Sequence, residues 1–216
     1  MTIELSARAI LFDMDGTLVD STAIVERIWA RFADEHGLPI EEILATSHGV
    51  KASDTIRRYA PSLDADAAAA DIAAFEITQT EGTVEIPGAA AFSAELPPGT
   101  FALVTSAPRA LALVRLALCG IEVPQVVVAA EDVVNGKPDP EPYLSAAQQL
   151  GVDPADCVVF EDAPAGIRAG LAAGMRVVVV GDTVDESALG LPRIVDYSSV
   201  TVRSGSASFT VVIGGE

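Results

Sequence analysis

Short apolar runs that alternate with helical stretches along the second half of the chain constrain its fold more than any other feature. Residues 101–104 lead into 110–119, 125–129 into 141–150, 157–160 into 165–173, and a last apolar run covers 177–180. Runs of that length are too short for helices, and their regular return predicts a parallel sheet covered by helices. Residues 8–12 (Arg-Ala-Ile-Leu-Phe) read as a further buried parallel strand, because they are apolar throughout and run at once into Asp and Gly. Past that turn the pattern changes. Ile24, Ile28 and Phe32 recur every four residues with Val25 and Trp29 beside them, a helix stripe that Gly37 and Pro39 end. From there to about Glu85 only helical signals are present, over 51–59 and the alanine-rich 65–80. The character changes again at Ile86-Pro87-Gly88. The spacing therefore predicts an α/β fold, a doubly wound, Rossmann-like parallel sheet with a helical insertion after its first strand. The core takes residues 1–20 and 87–216, and the insertion takes 21–86. In the tail, 198–203 and 208–213 alternate around Gly205 as a β-hairpin.

Charge then limits the partners. The formal net charge is −18, which argues against sequence-independent binding to nucleic acid or to an anionic membrane surface. An anionic substrate would feel the same repulsion, so a site for one must gather positive charge locally. Cys119 and Cys157 stand far apart in no metal-ligand spacing, which disfavours a disulfide framework or a zinc site. No basic-then-apolar leader is seen and no apolar run approaches the roughly 20 residues of a membrane span. A cytoplasmic location is the expectation.

Ligands of doubly wound sheets gather beyond the carboxyl ends of the strands. Past the strand at 8–12 come Asp13, Asp15, Gly16 and Thr17; past 101–104 come Thr105 and Ser106. Lys137 follows 125–129 on an Asn135-Gly136-Lys137-Pro138 turn, and Glu161 and Asp162 follow 157–160. Each has a bland reading. Asp-Gly is a common turn pair, and Asp162, Thr105 and Ser106 can all serve as caps. Together they resist it, because four carboxylates at one sheet edge repel unless a cation sits among them. A ligand set made only of oxygen favours Mg²⁺ over zinc or copper.

In order and spacing, Asp13-Met14-Asp15-Gly16-Thr17-Leu18, Thr105-Ser106, Lys137-Pro138 and Glu161-Asp162-Ala163-Pro164-Ala165-Gly166 resemble the four motifs of the haloacid dehalogenase superfamily of phosphatases. The insertion after the first motif resembles the cap domain of its phosphoglucomutase-like branch. Within that branch, Ser47-His48-Gly49, Ile86-Pro87-Gly88 and Asn135 to Tyr143 look most like the glycerol-phosphate and 2-deoxyglucose-phosphate phosphatases.

The resemblance implies Mg²⁺-dependent hydrolysis of small phosphomonoesters, sugar or polyol phosphates, through an aspartyl-phosphate. Asp13 is then the nucleophile and Asp15 the general acid and base. Thr105, Lys137 and the Ser106 amide hold the phosphoryl oxygens. The metal ligands are Asp13, the Asp15 carbonyl and Asp162, with Glu161 direct or through water. His48 and Lys51 are the candidate cap contacts to substrate, with Arg57 or Arg58 behind them. The partner is a small phosphorylated metabolite, with no nucleic acid and no membrane, and the assembly a monomer or homodimer. Two rivals stay in view. A phosphomutase of this branch carries a histidine where this chain has Val25 and an arginine where it has Ala52, so both departures favour hydrolysis. A non-catalytic regulatory or metabolite-binding protein of the same fold would have no need of Asp13, Asp15, Lys137 and Asp162.

Overall fold

A computed structural model of the protein describes residues 2–205 and 208–214. The predicted strand at 8–12 is β2 (Ala9–Phe12), every residue of it buried, and β5 (Phe101–Val104), β6 (Val126–Val128), β7 (Cys157–Glu161) and β8 (Arg176–Val180) occupy the other predicted positions. A short strand, β9 (Arg193–Ile194), extends the sheet, which runs β6-β5-β2-β7-β8-β9 with every pairing parallel. Alternation along β2 sends Ile10 and Phe12 to one apolar layer and Ala9 and Leu11 to the other. Helices α5 (Ala89–Ala94) and α6 (Arg109–Leu118) close the first layer with Phe92, Ala112 and Leu116. Helices α7 (Glu141–Leu150) and α8 (Pro164–Ala172) close the second with Tyr143, Ala146, Ile167 and Ala169. The sheet is thus doubly wound, as the spacing predicts.

Strand order decides where a site can form. The chain steps from β2 to β5 and outward to β6, then crosses back to place β7 on the other side of β2. The carboxyl ends of β5, β2 and β7 consequently lie side by side at the point where the winding reverses, the place where such sheets open a crevice.

Between β2 and β5 lie α1 (Thr22–His36), α2 (Ile40–Ser47), α3 (Ala52–Tyr59) and α4 (Ala65–Thr78), which bury Trp29, Phe32, Ile43 and Ile56 in an apolar cluster of their own. α1 stops where Gly37 takes the left-handed conformation and caps the carbonyls of Ala33 and Asp34, and Asp64 caps α4 by accepting from the amides of Asp66 and Ala67. The α2 segment, just after Pro39, carries only Ile40, Ile43 and Leu44 as large apolar residues. That is too few for a helical period to stand out in the sequence.

Besides β9, three strands have no sequence-based counterpart. β3 (Val19–Asp20) and β4 (Val84–Glu85) pair antiparallel and zip together the two chain crossings that flank the helical segment, so the stretch before Glu85 is not wholly helical. Two residues cannot show a period of two, which is why the pattern is silent there. β1 (Ile3–Ala7) lies outside the main sheet, against β11 (Phe209–Ile213), and β11 pairs with β10 (Val200–Ser204). The two hairpin strands of the tail fall where they are expected, although residues 206 and 207 of their connection lie outside the described residues.

Candidate active site

The end of β2 delivers Asp13 into the crevice. Its amide donates to the Phe160 carbonyl of β7 at 3.0 Å, which continues the sheet by one residue. Immediately afterwards the chain turns: the Met14 carbonyl accepts from the amides of Thr17, Leu18 and Val19, and Gly16 sits at φ 86°. Glycine is required at that position for a second reason. A Cβ on Gly16 would stand 2.0 Å from Asp162 Oδ2, so the bare backbone admits the Asp162 carboxylate. Thr17 Oγ1 donates to Asp162 Oδ1 at 2.9 Å and fixes its rotation.

Lys137 is the centre of the charge balance. It is 2% exposed, and its Nζ donates to Asp13 Oδ1 at 2.5 Å, to Glu161 Oε1 at 2.8 Å and to the Val104 carbonyl at 3.0 Å. All three protons of the ammonium are thereby used. Glu161 is fully buried and also accepts from the Tyr143 hydroxyl at 3.2 Å and, through Oε2, from the Ala163 amide at 2.8 Å. Space for it comes from Gly166 of α8, where a Cβ would come within 1.5 Å of Glu161 Oε1.

Ligand atoms of Asp13, Glu161 and Asp162 all lie within 4.8 Å of one another. Burial pushes the Asp13 carboxyl up to about 7, against the pull of Lys137 and with a further push from Glu161. Asp162 is raised well above the usual carboxylate range, by burial first and then by the negative charges of Glu161 and Asp13. A further positive charge beside Lys137 would lower both and favour the anionic forms. A compact, all-oxygen set with an excess of negative charge fits a hard divalent cation, and the bare backbone of Gly16 leaves the room in which the Asp162 carboxylate sits among these ligands.

Thr105, 4% exposed just past β5, accepts from the Ala107 amide at 3.0 Å through Oγ1. Ser106 comes next, and its hydroxyl donates to the Gly49 carbonyl of the helical segment at 2.8 Å. Lys51 is buried, and its Nζ reaches the carbonyls of Val133 and Val134 at 2.6 and 3.3 Å. Both side chains tie the helical segment to the sheet domain across the crevice. Exposed His48 lines the crevice, and so does Arg57, whose guanidinium is held by Asp54 and Asp66. The resulting cleft measures about 580 Å³, with Asp13, Thr105 and Asp162 at its floor and Trp29, Lys51 and Ala73 on its upper wall. That size is ordinary for a small-molecule site.

A family model of haloacid dehalogenase-like hydrolases matches residues 7–174. The chain belongs to that family. Among curated relatives of this hydrolase, hexitol phosphatase A of Escherichia coli (strain K12) is 43% identical over 88% of this chain and 91% of its own. Glycerol-1-phosphate phosphohydrolase 2 of Saccharomyces cerevisiae is 36% identical over 85% and 78% of the two chains. The fold is that of the crystal structure of CbbY from Rhodobacter sphaeroides in complex with phosphate, with a TM-score of 0.75 at 24% identity over 89% of this hydrolase and 95% of that chain. The curated relatives are phosphatases, and a phosphatase is the enzyme class of this chain. No helix among the described residues is long and apolar enough to cross a membrane.

Sequence patterns miss two groups that the hydrolase brings to the site residues. Arg115 of α6 is 4% exposed and donates to Asp15 Oδ1 at 2.8 Å and to Glu76 Oε1 of α4 at 2.9 Å. Tyr143 of α7 props Glu161. The sequence does hold one clue to the arginine, because it sits four residues after Leu111 on the buried stripe of α6, where a charge has to be neutralised by something distant.

Proposed function

We propose that this protein hydrolyses small sugar or polyol phosphates, with Asp13 taking the phosphoryl group as an aspartyl-phosphate and Mg²⁺ as its metal. The observation that carries the reading is the sharing of Lys137 between Asp13 and Glu161 beside Asp162, at three adjoining strand ends that open on a cleft of metabolite size.

In that reading Asp13 attacks phosphorus with the carboxylate oxygen that Lys137 does not hold, and Lys137 follows the phosphoryl oxygens as they approach. Thr105 and the Ser106 amide take the remaining phosphoryl oxygens. Asp15 gives a proton to the departing alkoxide and then removes one from the water that cleaves the acyl phosphate. Asp13, the Asp15 carbonyl and Asp162 would hold Mg²⁺, which supplies positive charge between the nucleophile and the phosphate dianion when bound. Glu161 accepts from Lys137 and Tyr143 through Oε1 and from the Ala163 amide through Oε2, so it holds Lys137 in place and would join the metal's ligands directly or through water. Residues 21–86 act as a cap that keeps bulk water from the acyl phosphate, with His48 facing the leaving group. Val25 and Ala52 line the cleft and offer no acid or base there, which favours transfer to water over return to a second sugar hydroxyl.

The test is a panel of polyol, hexose, pentose and glycolate phosphates with Mg²⁺, followed by acid quench and mass spectrometry of the trapped enzyme. Turnover of polyol or hexose phosphates with the label on Asp13, and none in Asp13→Asn, is the expected result. Label on Ser106, Thr105 or His48 would overturn the assignment.

A further inference from the structure

A buried guanidinium stays only where anions compensate it, and Arg115 has two, drawn from opposite sides of the cleft. Its Nη1 donates to Asp15 on the loop after β2, and its Nη2 donates to Glu76 in the last turn of α4. Glu76 is itself nearly enclosed, with its side chain 13% exposed. On Asp15, Oδ1 accepts both from Arg115 at 2.8 Å and from Ser21 Oγ at 2.6 Å. Among the described residues Oδ2 has no donor. The carboxylate is thus pinned by one oxygen and keeps the other for proton transfer. Ser21 lies where the chain enters the helical segment, and Glu76 lies shortly before it returns through β4. One of the two contacts that aim Asp15 is therefore made by a guanidinium whose other end is held by the helical segment, through Glu76 of α4.

We infer that Arg115 and Glu76 form a positioning relay that aims the Asp15 carboxylate at the leaving oxygen only while α4 is docked on α6. The relay rests on the phosphatase reading and extends it. Arg115 itself does not touch substrate. The planar fork of its guanidinium is rigid, so withdrawal of Glu76 frees one end of the fork and lets the other swing. A seated helical segment then means an aimed acid, and a lifted one means an acid that points nowhere useful. A plain structural pair, by contrast, would stabilise α4 without regard to which substrate bond is being broken.

The experiment measures single-turnover phosphorylation of Asp13 by an alkyl phosphate (glycerol phosphate) and by an aryl phosphate (p-nitrophenyl phosphate), together with kcat and KM for each. Glu76→Gln keeps shape and removes charge. It should slow the alkyl substrate by about 10- to 100-fold in kcat, the usual penalty for a misaimed catalytic group, with KM within about threefold. The aryl substrate, whose leaving group needs little protonation, should slow far less, so the aryl/alkyl ratio widens as it does in Asp15→Asn. Arg115→Met should behave in the same way, and Arg115→Lys should recover part of the loss. In an Asp15→Asn background neither change should widen the ratio further. Should Arg115→Met fail to fold, Glu76→Gln carries the test. Equal losses on both substrates, or an unchanged ratio, overturn the relay while leaving the phosphatase reading intact. Failure of the unaltered enzyme to label Asp13 with either substrate overturns the phosphatase reading itself.

Discussion

Replacing Gly166 by Ala is the smallest change that tests whether Glu161 holds the site together. In a helix, Gly→Ala ordinarily stabilises by about 0.5–1 kcal/mol. Here the added Cβ would stand 1.5 Å from Glu161 Oε1 and 2.0 Å from its Cδ, so the carboxylate has to leave. It is fully buried with three donors on it, and a displaced Glu161 strands Lys137 with only Asp13 and the Val104 carbonyl. Overpacking costs about 1–3 kcal/mol, and breaking a buried ion pair about 3–5 kcal/mol. Lys137 keeps one carboxylate, so the lower end of the second range applies, and the helix gain offsets part of the first. The expected net loss in urea unfolding is about 3–5 kcal/mol. A fall of about 10²-fold or more in kcat should accompany it, because the lysine is misplaced. Gly170→Ala is the control. Its Cβ would meet a Val177 methyl at 3.0 Å, which a small shift relieves, so its stability should stay within about 1 kcal/mol of the parent. A Gly166→Ala protein as stable and as active as Gly170→Ala would refute the anchoring role of Glu161.

Three further outcomes are expected. Chelation should abolish turnover and Mg²⁺ restore it, whereas Ca²⁺ should fail because its longer, looser coordination misplaces the nucleophile; steady-state rates in excess chelator check this, and full activity there would contradict it. Asp15→Asn should still form phospho-Asp13 from an aryl phosphate but hydrolyse it slowly, with the aryl/alkyl ratio of the first step widened by about 10²–10⁴-fold; acid-quench time courses read both steps. Burial pushes the Cys157 thiol up to about 11 and leaves it 0% exposed, while Cys119 is partly exposed. Burial, with the nearby Glu85 and Asp15 charges, raises the Cys119 thiol as well, so accessibility decides between them: iodoacetamide should label Cys119 in the native protein and Cys157 only after unfolding, as peptide mass spectrometry would show.

The strands of the doubly wound sheet, and the residues that stand at their ends, are written locally in the chain. A buried parallel strand needs an apolar run, as at residues 9–12 or 157–160, wherever it later pairs, and the residues just after it must emerge at the sheet edge. Asp13, Thr105 and Asp162 are legible for that reason, as is the helical character of most of residues 22–78, where stripes such as Ile24, Ile28 and Phe32 repeat within one element. That the ends of β5, β2 and β7 adjoin is a different kind of fact, because strand order depends on a crossover that no local pattern records. Packing of the whole chain set Lys137 between Asp13 and Glu161, turned Lys51 and the Ser106 hydroxyl onto carbonyls across the crevice, and joined Arg115 to Asp15 and Glu76. Arg115 lies 100 residues from Asp15 and 39 from Glu76. A buried charge at such a distance chooses its partner by what the packed helices bring within reach, and before they pack nothing in the chain distinguishes Glu76 from any other surface carboxylate.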